Sequence, residues 1–161
     1  MKTTDICDEH EHQVNVAEPI GFRNFGGREE FSGKIETVKC HEDNSLVRAA
    51  LERNGKGKVL VVDGGGSLRC ALLGDILATL AQNNGWAGIL IYGSVRDSAI
   101  LATLDIGVLA LGKHPKKSAK KNEGAANIPV YFAGVIFVPG QYIYIDADGI
   151  LTSATELTLS K

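Results

Sequence analysis

Asp75, Arg96 and Asp97 are the residues whose types and spacing suggest chemistry, because twenty residues separate the first acid from the Arg-Asp pair. Carboxylate oxygens are the ligands that a hard divalent cation prefers, and a guanidinium can hold two oxygens of one anion. A small keto acid bound to a metal ion needs both kinds of group. The three residues therefore suggest a site for such an anion, provided that the fold brings them together.

The intervening segment predicts the elements that would position these residues. Its pattern predicts an amphipathic helix over 75–83, a turn at Asn84-Gly85 and a buried strand over 88–92. Functional residues commonly follow the carboxyl end of a strand in an α/β unit. We therefore expect both acids to meet at one end of a strand-helix-strand unit.

Each of the three residues also has an ordinary structural explanation. Asp97 could cap a helix that begins at Ser98, and the residues alone favour this role over a metal ligand. Arg96 could be a surface charge paired with a nearby acid. Asp75, near a helix start, could be stabilised by the helix dipole alone. Capping and metal binding can coexist, so both explanations of Asp97 stay open.

Two backbone features near these residues could also bind anions. The segment 74–77 starts the predicted helix, where exposed N–H groups form an anion site that a substrate carboxylate fits. The run Asp63-Gly64-Gly65-Gly66 follows a strand but matches neither of the common nucleotide-binding glycine motifs. Its glycines more simply allow a sharp turn beside the site.

Composition limits the class of protein. The 161 residues, 44% of them hydrophobic, are enough for one domain with a full core, spanning 1–161. A net charge of −2 with interspersed signs argues against direct nucleic-acid binding. No apolar run approaches the roughly 18 residues of a membrane helix. Three widely spaced cysteines suggest a reducing compartment, so we expect a cytoplasmic protein without membrane contact.

The order of predicted elements indicates an α/β fold. Helices and strands alternate in the middle of the chain, whereas both ends are rich in strands. This order suits a three-layer β/β/α arrangement around a small mixed barrel, although the pattern alone leaves a doubly wound sheet equally open. The segment 113–127 holds five lysines and little apolar content, which predicts a long, mobile surface loop.

Several motifs resemble the family that joins the regulator of ribonuclease E activity A to the 4-hydroxy-4-methyl-2-oxoglutarate aldolases. The matching segments are 61–69 (VVDGGGSLR), Gly74-Asp75, 84–88 (NGWAG) and 92–97 (YGSVRD). Further similarity at 24–27, 38–40, 104–107 and Gly134-Val135 extends the resemblance over nearly the whole chain. Aldolase members have the Asp, twenty residues, Arg-Asp arrangement, whereas ribonuclease regulators of the enterobacterial type lack the key acids.

The resemblance implies a fold, an assembly and residue roles. It implies the swivelling β/β/α type of fold and a homotrimer, which in some members pairs into a hexamer. It assigns Asp97 as the direct ligand of a divalent cation, Mg²⁺ or Mn²⁺, and Arg96 as the residue that holds the substrate. Asp75 would position water on the metal and take part in catalysis. The substrate contacts would include Gly74, Asp75, Ile76 and Leu77.

The implied function is that of a lyase. The resemblance implies a class II (metal-dependent) 4-hydroxy-4-methyl-2-oxoglutarate aldolase. Such an enzyme cleaves 4-hydroxy-2-oxo acids to pyruvate and has oxaloacetate decarboxylase side activity. A Schiff-base aldolase is disfavoured because the lysines lie in polar clusters. The alternative is a non-catalytic regulator that binds and inhibits ribonuclease E. Ile100 stands where some similar aldolases have a further acid, so the source of a third acid is open.

Overall fold

The computed structural model describes residues 1–160. The helices in this range are α1 (Thr3–Glu9), α2 (Ser45–Leu51), α3 (Asp75–Asn83) and α4 (Ser98–Leu101). The strands are β1 (Val14–Val16), β2 (Arg23–Asn24), β3 (Phe31–Lys39), β4 (Lys58–Asp63), β5 (Ala71–Leu73), β6 (Gly88–Val95), β7 (Gly107–Lys113), β8 (Ala125–Ala126), β9 (Val130–Phe132), β10 (Val135–Phe137), β11 (Tyr142–Asp146) and β12 (Gly149–Ser153). Among the described residues, no helix has the length and apolar character that crossing a membrane requires.

Ten of the strands form one large mixed sheet. Its main path runs β1-β12-β11-β3-β4-β6-β7-β2, with β5 paired to β6 and β8 paired to β3. The central strands β3, β4, β6 and β7 are parallel, and antiparallel strands flank them on both sides. Strands β9 and β10 form a separate hairpin. The predicted mixed α/β fold class, with one large sheet and few helices, is confirmed.

Alternating side chains of the central strands build two cores, one on each face of the sheet. In β4, Leu60 and Val62 pack with helices α2 and α3, whereas Val59 and Val61 pack with the β9-β10 hairpin. All four side chains are fully buried. Because both faces are covered, the strand is a continuous apolar run. The layers are therefore hairpin, sheet and helices, which is the β/β/α order.

The elements around the predicted site form nearly as the sequence indicated. Helix α3 begins at Asp75 and ends at Asn83, as predicted, and Gly85 forms the following turn with a positive φ of 86°. Strand β6 continues three residues beyond the predicted end, to Val95. It is longer because Ser94 and Val95 keep parallel partners in β7, and β5 pairs on its other side.

The segment 113–127 differs from the predicted mobile loop. The Ala71 N–H donates to the carbonyl oxygen of Lys116 at 2.8 Å, and the Ala119 N–H donates to that of Glu42 at 2.9 Å. Further along, Ala125 and Ala126 form β8 and pair with β3. Most of the segment is an exposed surface loop, as predicted, but the short strand and these backbone bonds were not predicted. Local composition contains no information about such long-range backbone partners.

Candidate active site

The carboxylate of Asp97 contacts the start of helix α3. Asp97 directly precedes α4, yet its side chain makes no capping hydrogen bond to that helix. Instead, its Oδ2 accepts a hydrogen bond from the backbone N–H of Asp75 at 3.0 Å. The Asp97 side chain therefore does not cap α4. It instead contacts the backbone of Asp75, the other acid that the sequence singled out.

The backbone of Asp97 has a left-handed conformation, with φ 58° and ψ 41°. Such a conformation is uncommon outside glycine, although Asp tolerates it better than most residues. Neighbouring hydrogen bonds hold it in place, since the Arg96 N–H donates to the Leu73 carbonyl and the Asp97 carbonyl accepts from Ile100 and Leu101. Unusual backbone geometry of this kind is concentrated at functional sites.

Gly74 allows the close approach of Asp97 and Arg96. A Cβ atom at position 74 would lie 2.6 Å from the Asp97 Oδ2 and 3.2 Å from the Arg96 Cγ. The first distance is shorter than any real contact of that kind, so a side chain there would displace the carboxylate. The backbone at Gly74 is extended, with φ −135°, and is unstrained for any residue. Glycine is therefore required for space and not for conformation.

A cavity of ≈ 530 Å³ lies between the start of α3, helix α2 and the lysine-rich segment. Of the predicted site residues, Asp75, Arg96 and the run Gly74–Leu77 line it, whereas Asp97 is not part of its wall. Asp97 meets the cavity through its hydrogen bond to Asp75. Its side chain is exposed, so its carboxylate can reach solvent. The structure thus brings the predicted residues together at one edge of the sheet.

The expected anion site at the start of α3 is partly occupied by the protein itself. The Asp75 N–H donates to Asp97, and the Ile76 N–H donates to the Asp75 Oδ1 at 2.9 Å. A substrate carboxylate would have to compete with these carboxylates for the same donors. The run Gly74–Leu77 already uses two backbone donors within the protein. Contact between this run and a substrate stays a prediction.

Sequence reasoning missed the opposite wall of the cavity. That wall is lined by Asn44, just before α2, by Arg48 within α2, and by Lys117 and Lys120. Composition predicts only a surface loop for these lysines. The Lys120 Nζ donates to the Asn44 Oδ1 at 2.9 Å, across 76 positions of sequence. A contact so distant in sequence leaves no local pattern.

Asp43 fastens this wall to helix α2. Its Oδ1 accepts from the Ser45 N–H at 2.9 Å and from the Ser45 hydroxyl, and its Oδ2 accepts from the Lys121 N–H at 2.7 Å. Burial opposes ionisation of this carboxyl, but the hydrogen bonds outweigh it and lower the pKa of Asp43 to about 2. The ionised side chain therefore holds the lysine-rich segment against the start of α2.

The donors around Asp97 fit an open cation site. Residues 1–160 contain no group of three His, Cys, Asp or Glu side chains that could hold a metal ion. Mg²⁺, however, usually takes one or two carboxylates and completes its shell with water and substrate oxygens. Within the described chain, the Asp97 Oδ1 makes no hydrogen bond, whereas the Oδ2 accepts from the Asp75 backbone. One free carboxylate oxygen at an exposed residue is a donor of the kind that Mg²⁺ or Mn²⁺ prefers.

Four other candidate side chains, Cys40, Cys70, Asp63 and His10, are buried thiols or are already bonded within the protein. Burial raises the pKa of Cys40 to about 12, and burial also raises the pKa of Cys70, so neither thiol is activated. The Asp63 Oδ1 accepts from the Gly65 N–H at 3.0 Å, which closes the glycine-rich turn. His10 is bonded through both ring nitrogens to protein oxygens.

Comparison with known proteins identifies relatives over nearly the full chain. The model of the RraA-like family, described as Aldolase/RraA, matches residues 3–152. A Pseudomonas fluorescens (strain Pf0-1) protein is 56% identical over 157 residues, which cover 98% of this chain and 96% of that protein. An Aromatoleum aromaticum protein is 54% identical and covers 98% of both chains. Both are named "putative 4-hydroxy-4-methyl-2-oxoglutarate aldolase".

Two solved structures share the fold but have different names. A Geobacillus kaustophilus HTA426 protein named S-adenosylmethionine:2-dimethylmenaquinone methyltransferase superposes with a TM-score of 0.95 at 48% identity, covering 98% of this chain and 97% of that one. The RNA-processing inhibitor RraA from Thermus thermophilis gives 0.94 at 45% identity, with 98% and 95% covered. The relatives' names describe three activities, so the chemistry of the site has to distinguish among them.

Proposed function

The chain belongs to the RraA-like family, and we propose that it is a metal-dependent aldolase that cleaves 4-hydroxy-4-methyl-2-oxoglutarate to pyruvate. The observation that supports this most directly is the hydrogen bond from the Asp75 backbone N–H to the Asp97 carboxylate, which ties Asp97 to the cavity that Asp75 and Arg96 line. The names of the relatives from Pseudomonas fluorescens and Aromatoleum aromaticum agree with it.

The substrate would bind through its C1 carboxylate and C2 oxygen. Arg96 offers a planar fork of donors that can hold both oxygens at once, which a lysine cannot do. Asp97 would hold Mg²⁺ or Mn²⁺, which when bound supplies a positive charge that stabilises negative charge on the C2 oxygen. Asp75, whose Oδ1 is fixed by the Ile76 N–H, would orient water beside the substrate.

The reaction is a retro-aldol cleavage. The C4 hydroxyl loses its proton to the water that Asp75 orients, and C4 becomes a carbonyl as the C3–C4 bond breaks. The electron pair of that bond stays on C3 and is delocalised onto the C2 oxygen, where the Arg96 guanidinium stabilises the charge. The same water returns a proton to C3. One molecule of 4-hydroxy-4-methyl-2-oxoglutarate thereby gives two molecules of pyruvate.

Oxaloacetate decarboxylation follows from the same chemistry. Its C3–C4 bond breaks with loss of CO₂, and the electron pair again stays on C3 and the C2 oxygen. The same groups that stabilise the enolate in the aldolase reaction would do so here. We therefore include oxaloacetate decarboxylation as a side activity.

We further propose that the chain forms a trimer, or a hexamer of two trimers, with the sites at subunit boundaries. Ile76 and Ile100 flank Asp75 and Asp97 in sequence, and their side chains are 70% and 47% exposed. Contact with a neighbouring subunit would remove both apolar side chains from water. A neighbouring subunit at this position could also supply a further acid.

Release of pyruvate from both substrates, measured with and without EDTA, tests the proposal. Activity that EDTA removes and that Mg²⁺ or Mn²⁺ restores is the expected result. The competing function is inhibition of ribonuclease E, which the name of the Thermus thermophilis structure favours. A protein that is inactive with every divalent cation tried, but inhibits ribonuclease E, would replace the aldolase proposal with that one.

A further inference from the structure

The cavity beside Asp75 has an excess of positive charge. Its lining includes four cationic side chains and two acidic ones. The cations are Arg48, Arg96, Lys117 and Lys120, and the acids are Glu52 and Asp75. Arg48 is already paired with Glu52, at 3.0 Å. Within residues 1–160, the other three cations have no carboxylate oxygen within 4.0 Å. The available charge suits an anion with more than one negative group.

Lys120 is positioned by a buried neighbour. Its Nζ donates to the Oδ1 of Asn44, whose side chain is only 9% exposed. The Asn44 amide is fixed in turn, because its Nδ2 donates to the Leu72 carbonyl oxygen at 3.1 Å. The neutral Asn44 amide orients the Lys120 ammonium without cancelling its charge. Two of the three ammonium N–H donors remain for a ligand.

The backbone that bears Lys117 and Lys120 is also held in place. Ser118, between them, is 5% exposed, and Ala71 forms a bridge with Lys117. Asp43 accepts the Lys121 N–H just beyond them. The lysines are thus held on the cavity wall by contacts on both sides of each residue. Less side-chain and backbone freedom has to be lost when such groups bind a ligand.

We propose that Lys120, together with Lys117, is the part of the cavity that binds the second carboxylate of a dicarboxylic 2-oxo acid and so distinguishes it from a monocarboxylate. This inference rests on the proposed function, in which Arg96 holds the C1 and C2 oxygens. The lysines on the facing wall then hold the C5 carboxylate of the same molecule. Arg96 defines the reacting end of the substrate, and Lys120 determines which substrates fit beyond it.

Binding of two matched ligands tests the proposal without requiring turnover. 2-Oxoglutarate and 2-oxopentanoate differ only in that a methyl group replaces the C5 carboxylate. Calorimetric titration with Mg²⁺ present should give a Kd for 2-oxoglutarate that rises tenfold to a hundredfold in Lys120→Met, as expected for a lost hydrogen bond to a charged group. The Kd for 2-oxopentanoate should change by less than about twofold.

Three further variants make the comparison specific. Lys117→Met should weaken 2-oxoglutarate binding selectively, and Lys120→Arg, which keeps the charge, should restore most of the affinity. Lys121→Met is the matched control, because Lys121 lines a neighbouring pocket and uses its backbone, not its side chain, to contact Asp43. It should bind both ligands as the unmodified protein does.

Measuring pyruvate release from two matched substrates separates this inference from the proposed function. 4-Hydroxy-4-methyl-2-oxoglutarate and 4-hydroxy-4-methyl-2-oxopentanoate both release pyruvate on cleavage and differ in the same carboxylate. Inactivity of the unmodified protein on both would refute the aldolase function, while the binding data would still decide the role of Lys120. Equal weakening of both ligands by Lys120→Met, or no weakening of either, would overturn the inference.

Discussion

The substitution Gly74→Ala should lower activity strongly while leaving the fold intact. The added Cβ would meet the Asp97 Oδ2 at 2.6 Å, so the carboxylate has to move several tenths of an ångström at least. It would then lose its hydrogen bond from the Asp75 N–H, and Arg96, whose Nε would lie 3.3 Å from the new methyl group, would shift as well. A hydrogen bond to a charged group contributes about 1.5–3 kcal/mol, which corresponds to a loss of roughly tenfold to a hundredfold in kcat/KM.

Stability should respond far less than activity to this change. The extended backbone at Gly74 accepts alanine without strain, and alanine reduces the freedom of the unfolded chain. Gly149→Ala is the control, because a Cβ there meets nothing within 4 Å. Pyruvate release and thermal unfolding should be measured on both variants. Wild-type kcat/KM in Gly74→Ala would refute the argument that contact between the 74–75 backbone and Asp97 is needed for catalysis.

The remaining predictions concern the acid, the guanidinium, the loop and the assembly. Asp97→Ala should abolish metal-dependent pyruvate release, and Mg²⁺ titration should no longer protect it against thermal unfolding. Arg96→Lys should lose roughly tenfold to a hundredfold in kcat/KM, because it keeps the charge but not the fork. Because the pKa of Asp43 is lowered to about 2 from 3.8, its contribution to stability is complete above about pH 4 and is lost as the pH falls through 2. Asp43→Asn should therefore lower the free energy of unfolding near neutral pH by about 2 kcal/mol and flatten its acid dependence, measured by urea denaturation. Light scattering should give three or six times the 17.1 kDa chain mass, and a monomer at micromolar concentration would contradict the assembly proposal.

The elements that position the site could be predicted because their signals are local. Helix α3 begins and ends at the predicted residues, since its apolar periodicity and its terminal Asn84-Gly85 turn lie within a few positions of one another. Strand β6 was predicted too short because its last three residues depend on pairing with β5 and β7. Parallel pairing joins segments distant in sequence, so strand ends are less evident than helix ends.

Asp97 shows the limit of a local rule. An Asp immediately before a helix predicts a cap for that helix, and the backbone of Asp97 does precede α4. Its left-handed backbone, however, directs the carboxylate to the start of α3, twenty-two positions earlier. The rule considered only the helix that follows in sequence. The family motif nevertheless linked Asp75 with Asp97, because a motif contains information about pairs that a capping rule does not.

The far wall of the cavity shows what composition alone leaves out of the lysine-rich segment. Lysines without nearby apolar residues usually belong to a solvated loop, and the side chains of Lys117 and Lys120 are indeed exposed. Their proposed role depends on where they are held: Asp43 accepts the Lys121 backbone N–H and Asn44 accepts the Lys120 ammonium, both from a distant part of the chain.

The two walls of the cavity differ in charge in a way that matches the proposed chemistry. At the start of α3, Asp75 and Asp97 already accept the first backbone donors, so that side offers negative oxygens to a cation. The facing wall offers lysines without acidic partners among residues 1–160. A dicarboxylic 2-oxo acid placed between them would have its reacting end near the acids and Arg96, and its second carboxylate on the lysines. Selection of the substrate and stabilisation of the enolate then depend on different residues, which is why Lys120 and Arg96 variants should differ in their effects on the two matched substrates.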